Sequence, residues 1–266
     1  MAEELPQDLI DPRIRLDFDG ALAIVTLDRA EKLNALDQAM LVGLEDAFDR
    51  VEDAKDARVM LLCGAGKAFC AGGDIAAWAA LSPLDFAHGW VKQGHRTFDR
   101  LARLRLPTIA VLSGHAFGGG LELAGACDFR VAENGIKLGL PETGLGMVPG
   151  WSGTQRLVRR FGAQLIRRLS LGGEMLGAEA ALEVGLVDRV VAPGLGLAAA
   201  REMAQAVAAR GPAAVQAAKL MINAAEGEEV SAPVEILASA MIAATADLKE
   251  GVAAFREKRK PGFEGR

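Results

Sequence analysis

The chain has 266 residues, 51% of them hydrophobic, which is enough to bury a substantial core in one large domain or in a core with an appendage. Its formal net charge of −5 gives no general attraction to nucleic acid or to an anionic membrane, so we expect neither as a partner. Three cysteines without a C-x-x-C pair predict neither a disulfide framework nor a zinc site.

The first residues, MAEELPQDLIDPR, are acidic and contain two prolines. They lack the basic start and the apolar stretch of a secretory signal. No run of about 18 apolar residues occurs further along the chain, so no membrane span is expected. We therefore expect a cytoplasmic protein.

Strand and helix signals alternate in the first half of the chain. Two apolar stretches around Asp19 and Gly20 predict a β-hairpin over residues 13–28. Apolar residues then recur from Leu41 to Val51 at helical spacing, which predicts an amphipathic helix with Asp37 as its N-cap. An α/β class follows, because further elements alternate: strands at 58–63, 108–112 and 128–132, with a helix at 121–126.

The second half of the chain becomes mostly helical after about residue 162. Nearer the N-terminus, the sequence of residues 75–104 predicts short helices with a mobile loop. In the last helix Asp247 and Glu250 are placed for capping. The predicted organisation is an α/β core over residues 1–195 and a helical region over residues 196–266. Its predicted helices cover 198–210, 212–225, 231–244 and 247–260.

Glycine-rich stretches follow two of the strands. GAGKAF (64–69) and FGGGLELAG (117–125) both fail the nucleotide-loop patterns, the second because Leu123 stands where the last glycine is required. Glycines between a strand and a helix let a ligand approach the backbone, and the first N–H groups of a helix are unpaired donors. AGGD (71–74) and FGGG (117–120) therefore predict two donors for one carbonyl oxygen, although each stretch alone also fits a tight turn.

Two glutamates accompany these glycines. Glu122 stands among leucines two residues after Gly120, where an unpaired charge is costly to bury. Glu142 follows between Pro141 and a glycine-punctuated loop. Each glutamate alone fits a purely structural role. Together, beside two backbone donors, they predict proton transfer next to a carbonyl group.

Five stretches, by their order and spacing, resemble the crotonase, or enoyl-CoA hydratase/isomerase, superfamily over nearly the whole chain. They are NALD (34–37), KAFCAGGDI (67–75), SGHAFGGGLELAGACD (113–128), LPETGLGMVPGWSGTQRL (140–157) and AFREKRKPGF (254–263). The resemblance implies a spiral of ββα units forming two roughly perpendicular sheets. It also implies C-terminal helices that mediate trimerisation, so that the expected assembly is a homotrimer or a dimer of trimers.

The resemblance further implies the ligand and the chemistry. The ligand is an acyl-CoA thioester whose oxygen is held by the N–H groups of Gly73 and Gly119. Hydratases of the superfamily have glutamate at both acid positions, so the chain resembles an enoyl-CoA hydratase that converts a trans-2-enoyl-CoA to a 3-hydroxyacyl-CoA. Glu122 would take a proton from water, Glu142 would protonate the α-carbon, and Gly150 would position water or acid. No metal or redox cofactor is implied, since the thioester is the electron sink and CoA is part of the substrate.

Further positions match the superfamily's CoA contacts. Lys67, Ala71, Asp74 and Ile75 fall where the nucleotide and pantetheine bind, while Phe255 and Lys258 match positions near the adenine, often of a neighbouring subunit. Trp151 is a departure, because many hydratases have a small residue there, and it is a candidate wall of the acyl pocket. Two alternatives stay open: a Δ3-Δ2-enoyl-CoA isomerase, and a specialised acyl-CoA hydrolase or lyase. The retained acids and the negative charge argue against an RNA-binding relative.

Overall fold

The computed structural model of the protein describes residue 9 and residues 11–266. Residues 1–8, on which the expectation of no secretory signal largely rests, lie outside the described residues. The chain forms two compact units, one ending at Gln216 and the other running from Ala217 to Arg266. The division after residue 195, drawn from the sequence, stays a prediction. Among the described residues, no helix has the length and apolar character that crossing a membrane requires.

Regular elements account for most of the described chain. The strands are β1 (Ile14–Asp19), β2 (Leu22–Leu27), β3 (Val59–Gly64), β4 (Ala68–Cys70), β5 (Thr108–Leu112), β6 (His115–Phe117), β7 (Phe129–Glu133), β8 (Lys137–Gly139), β9 (Met175–Gly177) and β10 (Arg189–Val191). The helices are α1 (Gln38–Asp53), α2 (Ile75–Trp78), α3 (Pro83–Asp85), α4 (Lys92–Arg103), α5 (Gly119–Ala126), α6 (Arg156–Phe161), α7 (Ala163–Ser170), α8 (Ala178–Glu183), α9 (Gly196–Ala208), α10 (Pro212–Ala225), α11 (Ser231–Ala243) and α12 (Ala246–Glu257). Short 3-10 helices occur at Ala30–Lys32 and Pro141–Leu145, and a π-helical segment at Phe86–Val91.

The first sheet has six strands in the order β1-β2-β3-β5-β7-β10. Strands β1 and β2 pair antiparallel around Gly20, whose φ of 57° suits a glycine in a tight turn, and this confirms the predicted hairpin. The other neighbours pair in parallel. Every residue of strand β5 is buried, and four of its five residues are apolar, as expected for a central parallel strand covered on both faces.

The second sheet has the order β4-β6-β8-β9. Its strands β4, β6 and β8 pair in parallel, and each follows closely in sequence on a strand of the first sheet. Each is then followed by a helical segment: α2, α5 and the 3-10 helix at Pro141–Leu145. The chain thus repeats a ββα unit, which confirms the predicted mixed α/β spiral with two sheets. The carboxyl ends of β4, β6 and β8 lie side by side at one edge, and this arrangement positions the site.

Helix α1 shows how sequence spacing fixes a helix in this fold. Its Leu41, Leu44, Phe48 and Val51 are fully buried, as their spacing predicts. The Asp37 carboxylate accepts the N–H of Met40 at 3.0 Å, which confirms the predicted N-cap. Buried side chains from both sheets and the covering helices join those of α1 in one hydrophobic core.

The C-terminal unit corrects one prediction. Helix α12 is capped by Thr245, whose hydroxyl accepts the N–H of Leu248 at 3.1 Å. Asp247 instead accepts the N–H groups of two residues near the C-terminus, and Glu250 accepts the N–H of Gly262 at 2.9 Å. The predicted caps were therefore wrong, because Thr245 holds the extended backbone that an N-cap needs and the two acids bind the segment after the helix.

Candidate active site

The segments that leave β4, β6 and β8 meet around a pocket of about 120 Å³. These segments are far apart in sequence, but parallel neighbouring strands bring their carboxyl ends together. The pocket is lined by six of the predicted site residues: Gly73, Gly119, Glu122, Glu142, Gly150 and Trp151. Ala71 and Ile75 line it as well.

The two glycine stretches touch each other at the pocket. A Cβ atom on Gly72 would lie 3.1 Å from the nitrogen of Gly119, and the φ of Gly72 is +98°. Neither position leaves room for a side chain, since a Cβ on Gly119 would lie 2.7 Å from the Trp151 ring. The N–H groups of Gly73 and Gly119 donate to none of the described residues. Two unpaired backbone donors therefore lie close together at the pocket and can serve one oxygen of a ligand.

Glu122 lies on α5 and is only 2% exposed. Its Oε1 atom accepts the N–H of Trp151 at 2.8 Å and the N–H of Gly153 at 2.6 Å. Burial, with the charge of Glu142, raises the pKa of Glu122 to about 7, although the two N–H bonds and Arg156 act in the opposite direction. A carboxylate with a pKa near neutrality is suited to taking up a proton.

Glu142 lies on the 3-10 helix that follows β8. The Thr143 hydroxyl fixes this turn by donating to the carbonyl oxygen of Ser170 at 2.6 Å. Both carboxylate oxygens of Glu142 are buried and accept no hydrogen bond from the described residues. A Cβ on Gly118 would lie 2.8 Å from Glu142 Oε1, so this carboxylate sits against the start of α5. Burial raises the pKa of Glu142 and favours its protonated form, which suits a proton donor.

Trp151 forms the inner wall of the pocket and is 3% exposed. Its ring centroid lies 5.1 Å from those of Trp90 and Phe98. A Cβ on Gly94 would lie 2.0 Å from Trp151 Nε1, so the absence of a side chain at Gly94 makes room for the indole. The indole is thus packed between aromatic rings and glycine backbone.

The positions matched to CoA contacts are spread over both units. Lys67 is exposed immediately before β4, and Ile75 is half exposed at the start of α2. The Asp74 carboxylate caps α2 through the N–H of Ala76 at 3.0 Å and pairs with Arg29 at 2.8 Å. In the C-terminal unit the Phe255 side chain is 85% exposed on α12, and Lys258 follows that helix in a left-handed conformation.

The groups that hold Glu122 could not be predicted from the sequence. The role of the Gly150 N–H in positioning water or acid stays a prediction, and the donors to the Glu122 carboxylate are the N–H groups of Trp151 and Gly153. Nor could the contact of Ser152 Oγ with His95 Nδ1, at 3.1 Å, be predicted from the sequence. Backbone donors carry no residue signature, and the serine and histidine stand far apart in the chain. Among the described residues, no cluster of three or more His, Cys, Asp or Glu side chains could hold a metal ion.

The chain is similar to known proteins over nearly its whole length. A family model described as enoyl-CoA hydratase/isomerase matches residues 17–266. A protein named crotonyl-CoA hydratase from Syntrophomonas wolfei is 36% identical over 253 residues, covering 94% of this chain and 97% of that protein. A solved enoyl-CoA hydratase from Bacillus anthracis gives a TM-score of 0.79 at 36% identity, covering 96% of this chain and 100% of that one. The solved structure of DspI from Pseudomonas aeruginosa gives a TM-score of 0.81 at 31% identity, covering 99% of this chain and 100% of that one.

Proposed function

The chain belongs to the enoyl-CoA hydratase/isomerase family, and from this premise we propose how its pocket hydrates a trans-2-enoyl-CoA to a 3-hydroxyacyl-CoA. Its relatives named crotonyl-CoA hydratase and short-chain-enoyl-CoA hydratase support this activity, that of a hydro-lyase. One observation carries the proposed mechanism: two glutamates with buried carboxylate oxygens share a pocket with two unpaired backbone N–H groups. Such a pocket offers a base, an acid and an oxyanion site to one substrate.

The backbone donors bind the thioester oxygen. In the proposal, Gly73 and Gly119 each donate an N–H to that oxygen. Addition of water to the β-carbon moves negative charge through the conjugated system onto the oxygen, where these donors stabilise it. The substrate itself accepts the electron pair, and no metal or redox cofactor is needed in this scheme.

The two glutamates divide the proton transfers. Glu122 Oε1 is already held by two N–H groups, so its other oxygen takes a proton from water as the C–O bond forms at the β-carbon. Glu142 gives its proton to the α-carbon, and the electron pair returns from the thioester to form that C–H bond. Gly150 lines the same space and positions the water through its N–H. Proton exchange with solvent restores both carboxyl groups.

The remaining contacts concern CoA and assembly. Lys67, Ala71, Asp74 and Ile75 bind the nucleotide and pantetheine in this proposal, by their match to the family pattern. Phe255 and Lys258 contact the adenine end of a CoA molecule, and the protein assembles as a homotrimer or a dimer of trimers. A cytoplasmic location remains part of the proposal.

The pocket favours a short, apolar acyl group. Its volume of about 120 Å³ is well below the roughly 300–1,000 Å³ of ordinary small-molecule pockets. Apart from the glutamates, its side chains are apolar, and the buried Trp151 indole forms one of its walls. We therefore propose a crotonyl-sized substrate, with Trp151 setting the length limit.

A panel of 2-enoyl-CoA substrates tests this proposal. The wild type should consume crotonyl-CoA, followed as loss of the conjugated enoyl absorbance, with kcat/KM falling as the chain lengthens. W151A should raise the ratio of kcat/KM for octenoyl-CoA over crotonyl-CoA by about tenfold or more, because the wall is removed. Turnover of a 3-enoyl-CoA without hydration of any 2-enoyl-CoA would instead identify an isomerase.

The role of the Gly119 N–H is tested by two variants that share a steric defect. G119A and G119P both place a Cβ against the Trp151 ring, but only proline removes the N–H. Gly119 is the first residue of α5, where helices tolerate proline. We expect kcat of G119P to fall about 10²–10³-fold below that of G119A. Equal rates for the two variants, with matching circular dichroism, would rule out this donor.

A further inference from the structure

Ser152 occupies an unusual backbone position beside Glu122. Its φ is +80°, in the left-handed region that L-residues other than asparagine, aspartate and histidine rarely adopt. Leu33, Asn34 and Lys258 are the other non-glycine residues with positive φ in the described part of the chain. Left-handed backbone at a non-glycine residue persists where the surroundings impose it, commonly at functional sites.

The turn at Ser152 presents the backbone N–H groups that bind the Glu122 carboxylate. The N–H groups that bind Glu122 Oε1 belong to Trp151 and Gly153, the two residues that flank Ser152. Backbone N–H groups around a left-handed residue can converge on one anion, which successive N–H groups in an extended strand cannot do. The conformation of Ser152 therefore aims both donors at the carboxylate proposed as the base.

Helix α4 holds this turn through two side chains one helical turn apart. His95 Nδ1 lies 3.1 Å from Ser152 Oγ, at hydrogen-bonding distance. Asp99 Oδ1 accepts from Arg156 at 2.6 Å, and the N–H of Arg156 in turn donates to the Ser152 carbonyl oxygen at 2.8 Å. The side chain and the carbonyl of Ser152 are thus both restrained.

We propose that His95 is a positioning residue: by bonding Ser152 it stabilises the left-handed turn that fixes Glu122 for hydration. The inference rests on the proposed function of Glu122. It assigns His95 no proton transfer and no contact with substrate. Since glycine adopts positive φ without strain, a glycine at position 152 would make the bond from His95 unnecessary.

Two substitutions at position 152 separate this role from a chemical role of the hydroxyl. S152A and S152G both remove Oγ, but only glycine adopts the turn freely. We expect S152G to retain activity with crotonyl-CoA and S152A to lose about ten- to a hundredfold in kcat, with KM little changed. In S152A the acid limb of kcat/KM should move to higher pH, because weaker N–H bonds raise the pKa of Glu122 while Glu142 and Arg156, the titratable groups facing it, are unchanged.

Substitutions of His95 provide the second comparison. This comparison still tests the proposal if thermal melting shows that S152A is not folded. H95A should behave like S152A, whereas H95N keeps a hydrogen-bonding atom near the place of Nδ1 and should retain most activity. In the S152G background, H95A should change kcat by no more than about twofold. Equal kcat for S152A and S152G, or for H95A and H95N, in an assay where the wild type hydrates crotonyl-CoA would overturn the positioning role alone. A wild type that hydrates no 2-enoyl-CoA would overturn the proposed function.

Discussion

E122Q should lower kcat for crotonyl-CoA hydration by about 10²–10⁴-fold, the usual effect of removing a general base. Glutamine can still accept the N–H groups of Trp151 and Gly153 through its amide oxygen, so the turn and the pocket should persist. It cannot take a proton from water. Steady-state rates at matched folded concentration measure the loss, and a rate equal to that of the wild type would exclude Glu122 as the base.

The stability of E122Q provides an independent control. The pKa of Glu122 is raised from 4.5 to about 7 in the folded protein, so the folded state binds more protons than the unfolded state between these values. The wild type should therefore lose stability as pH rises through this window, by an amount on the order of 1–3 kcal/mol. E122Q lacks the titrating group, so its melting temperature relative to wild type should be higher at pH 8 than at pH 5. If the melting temperatures of E122Q and wild type differ by the same amount at pH 5 and at pH 8, the raised pKa of Glu122 is contradicted.

E142Q should lower kcat by a similar factor of about 10²–10⁴, because the α-carbon loses its proton donor. The Glu142 carboxylate accepts no hydrogen bond from the described residues, so the substitution should break no contact that holds the fold. In the proposed mechanism Glu142 is protonated when Glu122 is ionised, so E142Q removes no charge from beside Glu122 in the active form. The acid limb of the residual kcat/KM profile of E142Q should therefore stay near its wild-type position.

The rate of the double variant E122Q/E142Q shows whether the two glutamates act together on one substrate or contribute to the rate independently. If both glutamates act on the same substrate, the losses should be far from additive, and the double variant should be only slightly slower than the worse single variant. Losses that multiply fully would show that the two glutamates act independently. A rate for E142Q within about twofold of the wild type would exclude Glu142 as the acid.

Local signals in the sequence predicted much of the fold, and the errors have local causes. The spacing in α1 and the hairpin around Gly20 were confirmed, since each depends on residues close in the chain. Helix α5 was predicted from residue 121 but begins at Gly119, because Gly118 with φ of 53° turns the chain sharply before it. The cap of α12 was assigned to acids within the helix, although the preceding Thr245 fills that role.

The site was predictable only where residue identity carries the chemistry. Glu122 and Glu142 stood out as carboxylates in apolar or glycine-rich surroundings, and resemblance to a family linked them to Gly73 and Gly119. Spacing alone did not show that β4, β6 and β8 would bring these residues together, because strand order is a property of the whole sheet. The N–H groups that hold Glu122, and the contact between His95 and Ser152, depend on backbone conformation and required the structure.

The most direct measurement of the two-glutamate site is crotonyl-CoA hydration by wild type, E122Q and E142Q, followed side by side as loss of enoyl absorbance at equal folded concentration. The proposed mechanism predicts turnover by the wild type and rates at least about 10²-fold lower in each variant. Absence of hydration by the wild type, or one variant turning over as fast as the wild type, would contradict it.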